Sequence, residues 1–213
     1  MYQTPHFCED RIDVLHDLIR AHPLATLVAF GQEGLMGNHL PFVLHDELTD
    51  KGTLRGHVAR ANPLSKYFDP TIDVLAVFQG ADSYITPSWY PSKKEHGKVV
   101  PTWNCAVVHA YGPLRIIEDA EWLRTHLGQL TFQQENTRPV PWAVSDAPDD
   151  YIARQLKGIV GIEMPISRIE GKWKVSQNKE AQDRMGVSRG LDFEGGGFPS
   201  DMSGLVERYG HRG

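Results

Sequence analysis

Cysteine is scarce in this sequence, which holds Cys8 and Cys105 and no others among its 213 residues. The two lie far apart and match neither the spacing of a zinc site nor that of a redox pair, so a reduced, cytoplasmic chain is expected. No segment approaches the roughly 18 apolar residues of a membrane-spanning helix, and the first residues lack a basic stretch followed by an apolar run. The sequence therefore predicts neither export nor contact with a membrane.

Positive charge is not in excess, because 22 lysine and arginine residues face 27 aspartate and glutamate residues and the net charge is -5. An acidic balance argues against a free-standing nucleic-acid binder, which normally has a basic face. A basic loop does occur between Lys93 and Lys98, with three lysines and a histidine. DNA is therefore a candidate partner through this loop alone, and a solvated surface loop is the alternative interpretation.

The motifs of several enzyme classes are missing. The sequence has no glycine-rich dinucleotide fingerprint, no P-loop, no nucleophile elbow and no zinc-protease helix, so the corresponding hydrolytic and nucleotide-dependent chemistries lack support. The ten histidines raise the question of a metal site. No pair has the i, i+4 spacing with a carboxylate, and a strand pair such as His39 and His57 lacks an evident third ligand. We predict no metal site and assign no catalytic residue.

Hydrophobic alternation predicts six or seven short strands, with helices between them and at the ends. Because the order is not strict strand-helix alternation, we predict a mainly β fold with added helices (α+β), an antiparallel barrel rather than a doubly wound sheet. Helices are expected to begin after the capping positions Asp10 and Asp119, and a further one to start at Asp149-Asp150. A turn is expected at residues 80–82, between two separate strands.

One domain with peripheral helices is expected over residues 1–191. Residues 192–213 are rich in glycine and include Gly195, Gly196 and Gly197. We expect a mobile tail there, with one or two helical turns over residues 204–209 as the alternative.

Residues 53–66 carry the clearest functional signal. The first half alternates, so that one face can join a sheet core while Arg55 and His57 present nitrogen donors on the other. Asn62 suits a helix N-cap, and free backbone amides together with Arg60 and Lys66 could converge on one phosphate group. The alternative interpretation is that the charges are solvated, Asn62 is only a cap and His57 is a hydrogen-bonded sheet residue.

Aromatic and amide side chains concentrate beside the predicted sheet. Large planar rings next to amide donors suit a planar heteroaromatic ligand, and a phosphorylated flavin has that character. Barrel-end plugs or dimer contacts are the alternative role for the tryptophans. The residues in question are Trp89, Tyr90, Trp103, Asn104, Trp173, Gln177 and Asn178.

Five segments together resemble one known family, the PaiB-like proteins, which are described as FMN-binding negative transcriptional regulators related to the pyridoxamine-phosphate-oxidase split barrel. The resemblance runs in the same order from Met1 to about Leu191. The segments are His39-Leu40-Pro41-Phe42, Gly56-His57-Val58-Ala59-Arg60-Ala61-Asn62-Pro63, Ser88-Trp89-Tyr90-Pro91-Ser92-Lys93, His96-Gly97-Lys98-Val99-Val100-Pro101-Thr102-Trp103-Asn104 and Gly171-Lys172-Trp173-Lys174-Val175-Ser176-Gln177-Asn178.

The resemblance implies a six-stranded antiparallel split β-barrel of the FMN-binding type, a homodimer that holds FMN between its subunits. It places the FMN phosphate where the third strand runs into a turn, and a second contact on the long strand that returns across the dimer. Cys105 departs from the family pattern, in which an aromatic residue is expected. The cofactor-binding residues so implied are His39, His57, Val58, Ala59, Arg60, Asn62, Lys66, Thr102, Trp103, Asn104 and, as a ring contact, Gln177.

Three functions agree with the sequence. The first is the FMN-binding regulator that the resemblance implies. The second is a flavin-dependent oxidoreductase acting on a small molecule, in which the protein tunes the cofactor and the cofactor does the chemistry. The third is a haem-binding protein of the same fold. His39, His57 and Lys98 are candidate proton donors, and none of them is assigned that role.

Overall fold

The structure is a computed structural model that describes residues 1–195 and 200–210. These residues fold into two compact units. Unit 1 combines Met1–Leu15, Gln79–Val108 and the described part of Glu170–Gly213, and unit 2 combines His16–Phe78 and His109–Ile169. Across the described ranges, no helix has both the length and the apolar character that a membrane crossing requires.

Strands and helices alternate irregularly along the chain. The strands are β1 (Cys8–Glu9), β2 (Leu24–Gly31), β3 (Gly34–Pro41), β4 (Val43–His45), β5 (Thr53–Ala59), β6 (Val74–Ile85), β7 (Thr102–Gly112), β8 (Arg115–Ile117), β9 (Ile159–Pro165) and β10 (Arg168–Lys174). The helices are α1 (Ile12–Ala21), α2 (Leu64–Tyr67), α3 (Ser92–His96), α4 (Ala120–Glu135), α5 (Asp149–Lys157), α6 (Ala181–Glu194) and α7 (Asp201–Tyr209). Short 3-10 turns lie at Pro5–Phe7, Pro87–Trp89 and Val144–Asp146.

The strands belong to two sheets, one with the order β1-β10-β7-β6-β2-β3 and one with the order β4-β5-β9-β8. The pairs β1 with β10, β2 with β3 and β6, β5 with β4 and β9, and β8 with β9 are antiparallel. In unit 2, β2 and β3 form a hairpin in which Gly31 pairs with Gly34. Gly34 has φ +105, a conformation that glycine adopts without steric cost. An antiparallel, mainly β fold with helices is what the sequence predicts.

Strand β5 shows how the sequence sets the interior of unit 2. Leu54 and Val58 are buried, whereas Arg55 and His57 lie on the half-buried opposite face. Arg55 Nε donates to Glu163 Oε2 at 2.9 Å on the neighbouring strand β9. The alternation predicted for residues 53–59 is therefore confirmed, and the donor-bearing face is covered by protein rather than open to solvent.

Strand β6 corrects one prediction. The sequence predicts a turn at residues 80–82 between two strands, but β6 runs without interruption from Val74 to Ile85. Gly80 does not break it, because pairing within the six-stranded sheet outweighs local turn preference. The short strands β1, β4 and β8 are a further difference, since two or three residues are too few to produce a periodic signal.

The beginnings predicted for α4 and α5 are found. Asp119 Oδ1 accepts a hydrogen bond from Trp122 N at 2.6 Å and so begins α4. Helix α5 begins at Asp149 and ends before Gly158, as expected. The buried residues Leu123, Ile152 and Leu156 pack together and hold these two helices to each other.

The end of the chain is more regular than the sequence predicts. Helix α7 lies within the range 192–213, and its Met202, Val206 and Tyr209 are buried. Ser200 caps it through a hydrogen bond from Ser203 N at 3.0 Å. Residues 204–209 are helical, as the alternative interpretation of this segment predicts. The tail prediction for residues 196–199 and 211–213 lies outside the described residues, and the domain boundary at residue 191 stays a prediction.

Helix α7 is attached to the beginning of the chain within unit 1. Tyr209 Oη donates to Glu9 Oε2 at 2.8 Å, and Arg11 Nη2 donates to Tyr209 Oη at 3.0 Å. Burial raises the pKa of the Glu9 carboxyl, but hydrogen bonds from Arg11 and Tyr209 outweigh this and hold the pKa below its ordinary value. Glu9 is therefore a buried carboxylate whose charge is satisfied by α7 and by its own strand end.

Candidate functional site

Asn62 fixes the turn that follows β5. Its Oδ1 accepts a hydrogen bond from Leu64 N at 2.9 Å, and its Nδ2 donates to Asn38 Oδ1 at 2.8 Å. The first bond begins α2, and the second ties the turn to β3, the strand that also carries His39. The capping role predicted for Asn62 is confirmed. Because both polar atoms of the amide already contact protein groups, Asn62 orients the turn.

Arg60 anchors the same turn to the beginning of β9. Its Nε donates to Lys157 O at 3.0 Å and its Nη2 to Ile159 O at 3.1 Å. Its Nη1 lies 3.4 Å from Glu118 Oε2, in an ion pair whose two side chains are exposed. Exposed pairs contribute little in water. An incoming phosphate can therefore replace Glu118 at Nη1 while the two carbonyl bonds hold the guanidinium.

His57 faces helix α4 rather than the turn. Its Nδ1 lies 3.3 Å from His126 Nε2, and the two rings meet edge to face with centroids 5.4 Å apart. Burial lowers the pKa of His57, so the ring is neutral at pH 7 and brings no positive charge to a phosphate. The alternative interpretation, a hydrogen-bonded sheet histidine, describes this position.

His126 is a buried residue that the sequence does not single out. It stacks on Trp122, one turn earlier in α4, with ring centroids 5.4 Å apart, and its Nδ1 has no hydrogen-bond partner within the described part of the chain. The pKa of His126 is lowered to about 3, first by burial and then because a positive charge on this ring would be disfavoured beside His57, His45 and Arg55. In residues 1–195 and 200–210, no three His, Cys, Asp or Glu side chains have metal-site geometry.

The other predicted residues of unit 2 differ in exposure. Lys66 is exposed in the last turn of α2. Val58 is buried, so it can offer a cofactor only its backbone, and Ala59 is exposed at the end of β5. His39 is exposed, with its Nδ1 3.1 Å from Thr26 Oγ1. Lys66 is thus the predicted cation that is most open to a ligand.

In unit 1, Asn104 is the buried centre of the predicted site. Its Nδ2 donates to Ser176 Oγ at 3.0 Å, and the same hydroxyl can donate to Asn104 Oδ1 at 3.3 Å. Ser176 has φ 65, in the left-handed region that favours glycine. Thr102 Oγ1 accepts a hydrogen bond from Lys174 Nζ. Ser176 and Lys174 thus contact two of the predicted residues, and both lie in one of the five segments that resemble the PaiB-like family.

Trp103 is open to a ligand, whereas the backbone engages the side chain of Gln177. Trp103 is 58% exposed and meets Tyr84 edge to face, with centroids 5.9 Å apart. Gln177 folds back on its own strand end, where Nε2 donates to Trp173 O and Oε1 accepts from Val175 N at 2.8 Å. Trp103 can stack on a planar ligand as it stands. A ring contact from Gln177 requires both of its backbone bonds to open.

A family model described as "Putative FMN-binding domain" matches residues 1–168. The chain belongs to this family. The matched range contains all the predicted cofactor-binding residues except Gln177. At the level of the FMN-binding family, the prediction of FMN as the cofactor is confirmed.

Two relatives support this membership over nearly the full length. A protein of Emericella nidulans is 34% identical, over 99% of this chain and 98% of its own length. The Bacillus subtilis protein named "Protease synthase and sporulation protein PAI 2" is 30% identical, over 97% of each chain. The resemblance to the PaiB-like proteins is therefore confirmed.

One solved structure illustrates the fold. The "FAD and Heme binding protein from Mycobacterium smegmatis" superposes with a TM-score of 0.54, covering 93% of this chain and 78% of that one, at 14% sequence identity. At this identity the likeness concerns the fold alone. The predicted fold class, a mainly β antiparallel fold of split-barrel type with added helices, is confirmed.

The residues present fit a phosphorylated flavin. A guanidinium with one exchangeable contact, Arg60, and an exposed ammonium, Lys66, belong to one short segment of unit 2, and these groups suit a phosphate dianion. An exposed aromatic ring, Trp103, adjoins the buried amide of Asn104 in unit 1, and this combination suits a planar ring with polar edges. The first group belongs to unit 2 and the second to unit 1.

Proposed function

We propose that the protein is an FMN-binding flavoprotein that acts as a homodimer, with FMN held between two copies. The family match over residues 1–168 supports the FMN-binding part of this proposal. Arg60 and Lys66 would hold the phosphate, and Thr102, Trp103 and Asn104 would hold the ring system. Bound FMN supplies one-electron or two-electron transfer, while the chain supplies binding, orientation and electrostatic surroundings.

The visible absorption spectrum tests this function directly. The protein is purified without added cofactor, supplied with FMN and freed of the excess. We expect the paired flavin bands to remain, with FMN and protein in equal amounts. A colourless protein that retains no FMN would contradict the proposal.

Replacing Arg60 tests the phosphate assignment. Arg60→Ala is expected to weaken FMN binding by about 2 kcal/mol, or roughly thirtyfold in Kd, because a charge-assisted bond to the phosphate is lost. Riboflavin, which lacks the phosphate, should bind equally to both proteins in the same fluorescence titration. Arg154→Ala is the matched control, since Arg154 is an exposed arginine paired with Asp150 at 2.8 Å. Equal FMN affinity in Arg60→Ala would place the phosphate elsewhere.

A second copy of the chain is the proposed partner because unit 2 has an exposed apolar sheet face. Phe30 and Leu35 are cross-strand partners there and are 45% and 77% exposed. Val28 and Leu75, paired between β2 and β6, continue this face and are half-buried. Contiguous exposed apolar surface marks interaction sites, and a two-fold dimer places the same surface of each copy against the other.

Leu35→Glu is expected to convert the dimer to monomers, since it buries a charge in the proposed interface. Light scattering coupled to size exclusion measures the mass, and FMN retention should fall in the same sample if the cofactor lies between copies. Leu48→Glu, in the loop between β4 and β5, is the control, since Leu48 is 46% exposed and lies apart from the sheet face. A dimer that survives Leu35→Glu would exclude this surface.

Three roles are proposed for such a dimer, and each has its own test. A regulator would need to bind DNA, and the exposed Lys93, Lys94 and Lys98 support that role. An electrophoretic shift at low salt tests it, and no shift would remove it. A flavin-dependent oxidoreductase would instead show reduction of its flavin by a nicotinamide donor. A Soret band after haem addition would favour the haem-binding alternative.

Both cysteines are free, which supports the predicted cytoplasmic location.

A further inference from the structure

The polar groups around Asn104 enclose a small cavity within unit 1. Its volume is about 130 Å³. Pockets that take a whole drug-sized ligand have volumes of roughly 300 to 1,000 Å³, so this one fits a single small group. The polar residues that line it are Thr102, Asn104, Lys174, Ser176, Asn178 and Lys179.

The cavity is positively charged. Among the described residues that line it are two lysines and no carboxylate. Lys174 Nζ donates to Thr102 Oγ1, and Lys179 Nζ lies 5.1 Å from the centroid of the Tyr90 ring. A hydroxyl and an aromatic ring position an ammonium group without neutralising it. Two such groups beside one cavity favour an anion, because each keeps donors for it.

The neutral part of the lining is held rigidly. Asn104 is 1% exposed and Ser176 is 3% exposed, and their side chains hydrogen-bond to each other. Ser176 keeps a positive φ although glycine would adopt it at lower cost. Backbone strain of this kind concentrates at binding sites, where the side chain is needed in a fixed place. The hydroxyl of Ser176 is the group that glycine would lack.

We propose that this cavity binds an oxyanion group, the phosphate or carboxylate of a small molecule. Lys174 and Lys179 supply the charge, and Asn104 and Ser176 supply directed hydrogen bonds. The inference rests on the proposed function in one respect, since the anion belongs either to FMN itself or to a second ligand that FMN-loaded protein binds. Both sources have the same chemistry at the cavity.

Calorimetric titration with inorganic phosphate tests the site, both on FMN-loaded protein and on protein without FMN. The double variant Lys174→Gln with Lys179→Gln is expected to bind phosphate at least about tenfold more weakly than the native protein, because two charge-assisted contacts are removed. Lys172→Gln is the matched control, since Lys172 lies on the same strand but outside the lining and donates to Tyr2 O at 3.2 Å. It should bind phosphate as the native protein does.

FMN and riboflavin titrations of the same variants identify the source. If phosphate binding falls and FMN affinity is unchanged, the cavity takes a second ligand. If FMN weakens and riboflavin does not, the cavity takes the phosphate of the cofactor. The assignments of that phosphate to Arg60 and of the ring system to Thr102 and Asn104 then fail, while the cavity stands. If neither phosphate nor FMN binding changes in the double variant, the inference is overturned, whether or not the protein binds flavin.

Ser176→Gly provides a second variant. Glycine adopts the positive φ more readily, which offsets part of the cost of leaving the buried Asn104 amide without the Ser176 hydroxyl. We expect weaker phosphate binding together with a resistance to urea close to that of the native protein. A merely structural hydroxyl would leave phosphate binding at the native level, and that result would remove Ser176 from the site.

Discussion

Acidification from pH 7.5 to pH 5.0 is expected to lower the free energy of unfolding by about 2 kcal/mol through His126 alone. The pKa of this buried ring is about 3 in the folded protein, against an ordinary value of 6.5 that the unfolded chain regains. Between these values the unfolded chain binds a proton that the folded chain does not. The full stability is therefore present above pH 6.5 and is lost as the pH falls, by on the order of 4 to 5 kcal/mol over the whole interval.

The surroundings of His126 strengthen this expectation. His57, His45 and Arg55 all disfavour its protonated form, and no carboxylate is among the groups that shift its pKa. Burial also lowers the pKa of His57, so this residue likewise lowers the free energy of unfolding as the pH falls. Carboxyl groups with lowered pKa, such as the hydrogen-bonded Glu9, lose their stabilising effect only in more acidic solution. The interval above pH 5 therefore isolates the histidines.

Urea unfolding at several pH values between 7.5 and 5.0 measures the slope of the free energy of unfolding against pH. His126→Phe keeps an aromatic ring beside Trp122 and removes the titrating group, so its stability should change much less with pH. His96→Gln is the control, because His96 is exposed in α3 and its loss should leave the slope intact. Equal slopes in His126→Phe and in the native protein would contradict the assignment.

The histidine pair also shows what sequence reasoning could and could not supply. Alternation in β5 and the caps at Asn62 and Asp119 were predictable, because each depends on residues within a few positions of one another. The contact between His57 and His126 joins residues 69 positions apart, and only the packing of α4 on β5 creates it. The helical spacing of Trp122 and His126 indicates a shared face but names no partner for it.

In the predicted cofactor site, too, the residue types follow from the local sequence, whereas their contacts depend on distant segments. The sequence predicts Arg60 as a donor in the turn after β5, but the carbonyl groups that engage it come from the distant end of α5 and the start of β9. The resemblance implies a ring contact for Gln177, whereas the backbone groups of Trp173 and Val175 occupy its amide. Ser176 carries no sequence mark of a positive φ, because serine rarely adopts one. Such details follow from tertiary packing and not from local pattern.

Gly186→Ala is expected to destabilise the protein by about 3 kcal/mol, although alanine is the better helix former. A Cβ at this position of α6 would lie 2.0 Å from Trp89 O and 3.0 Å from Pro91 Cδ. The obstacle is a backbone oxygen, which cannot move aside as a flexible side chain can. Gly190, one turn later, meets the Trp89 ring in the same way, with 2.3 Å between a Cβ and Cδ2. The helix therefore uses two glycines to approach this segment.

Gly204→Ala in α7 is the matched control, because nothing lies within 4 Å of a Cβ there. The same substitution should leave stability unchanged or raise it by about 0.5 to 1 kcal/mol. Urea unfolding followed by tryptophan fluorescence compares the two. Opposite signs at the two glycines would show that close packing, not helix propensity, decides the result at Gly186. A Gly186→Ala protein as stable as the native one would mean that α6 does not lie against Trp89.

The close approach of α6 to Trp89 at Gly186 raises the question of whether α6 supports the proposed oxyanion cavity. Ser92 Oγ donates to the buried Asp183 at 2.7 Å, which fixes the same face of α6 beside the segment that holds Trp89. The family match ends at residue 168, yet Lys174 and Ser176, which line the proposed oxyanion cavity, lie beyond it and just before α6. If docking of α6 fixes this region, Gly186→Ala should weaken phosphate binding as well as lower stability. Phosphate binding that survives the substitution would show that the cavity forms without α6.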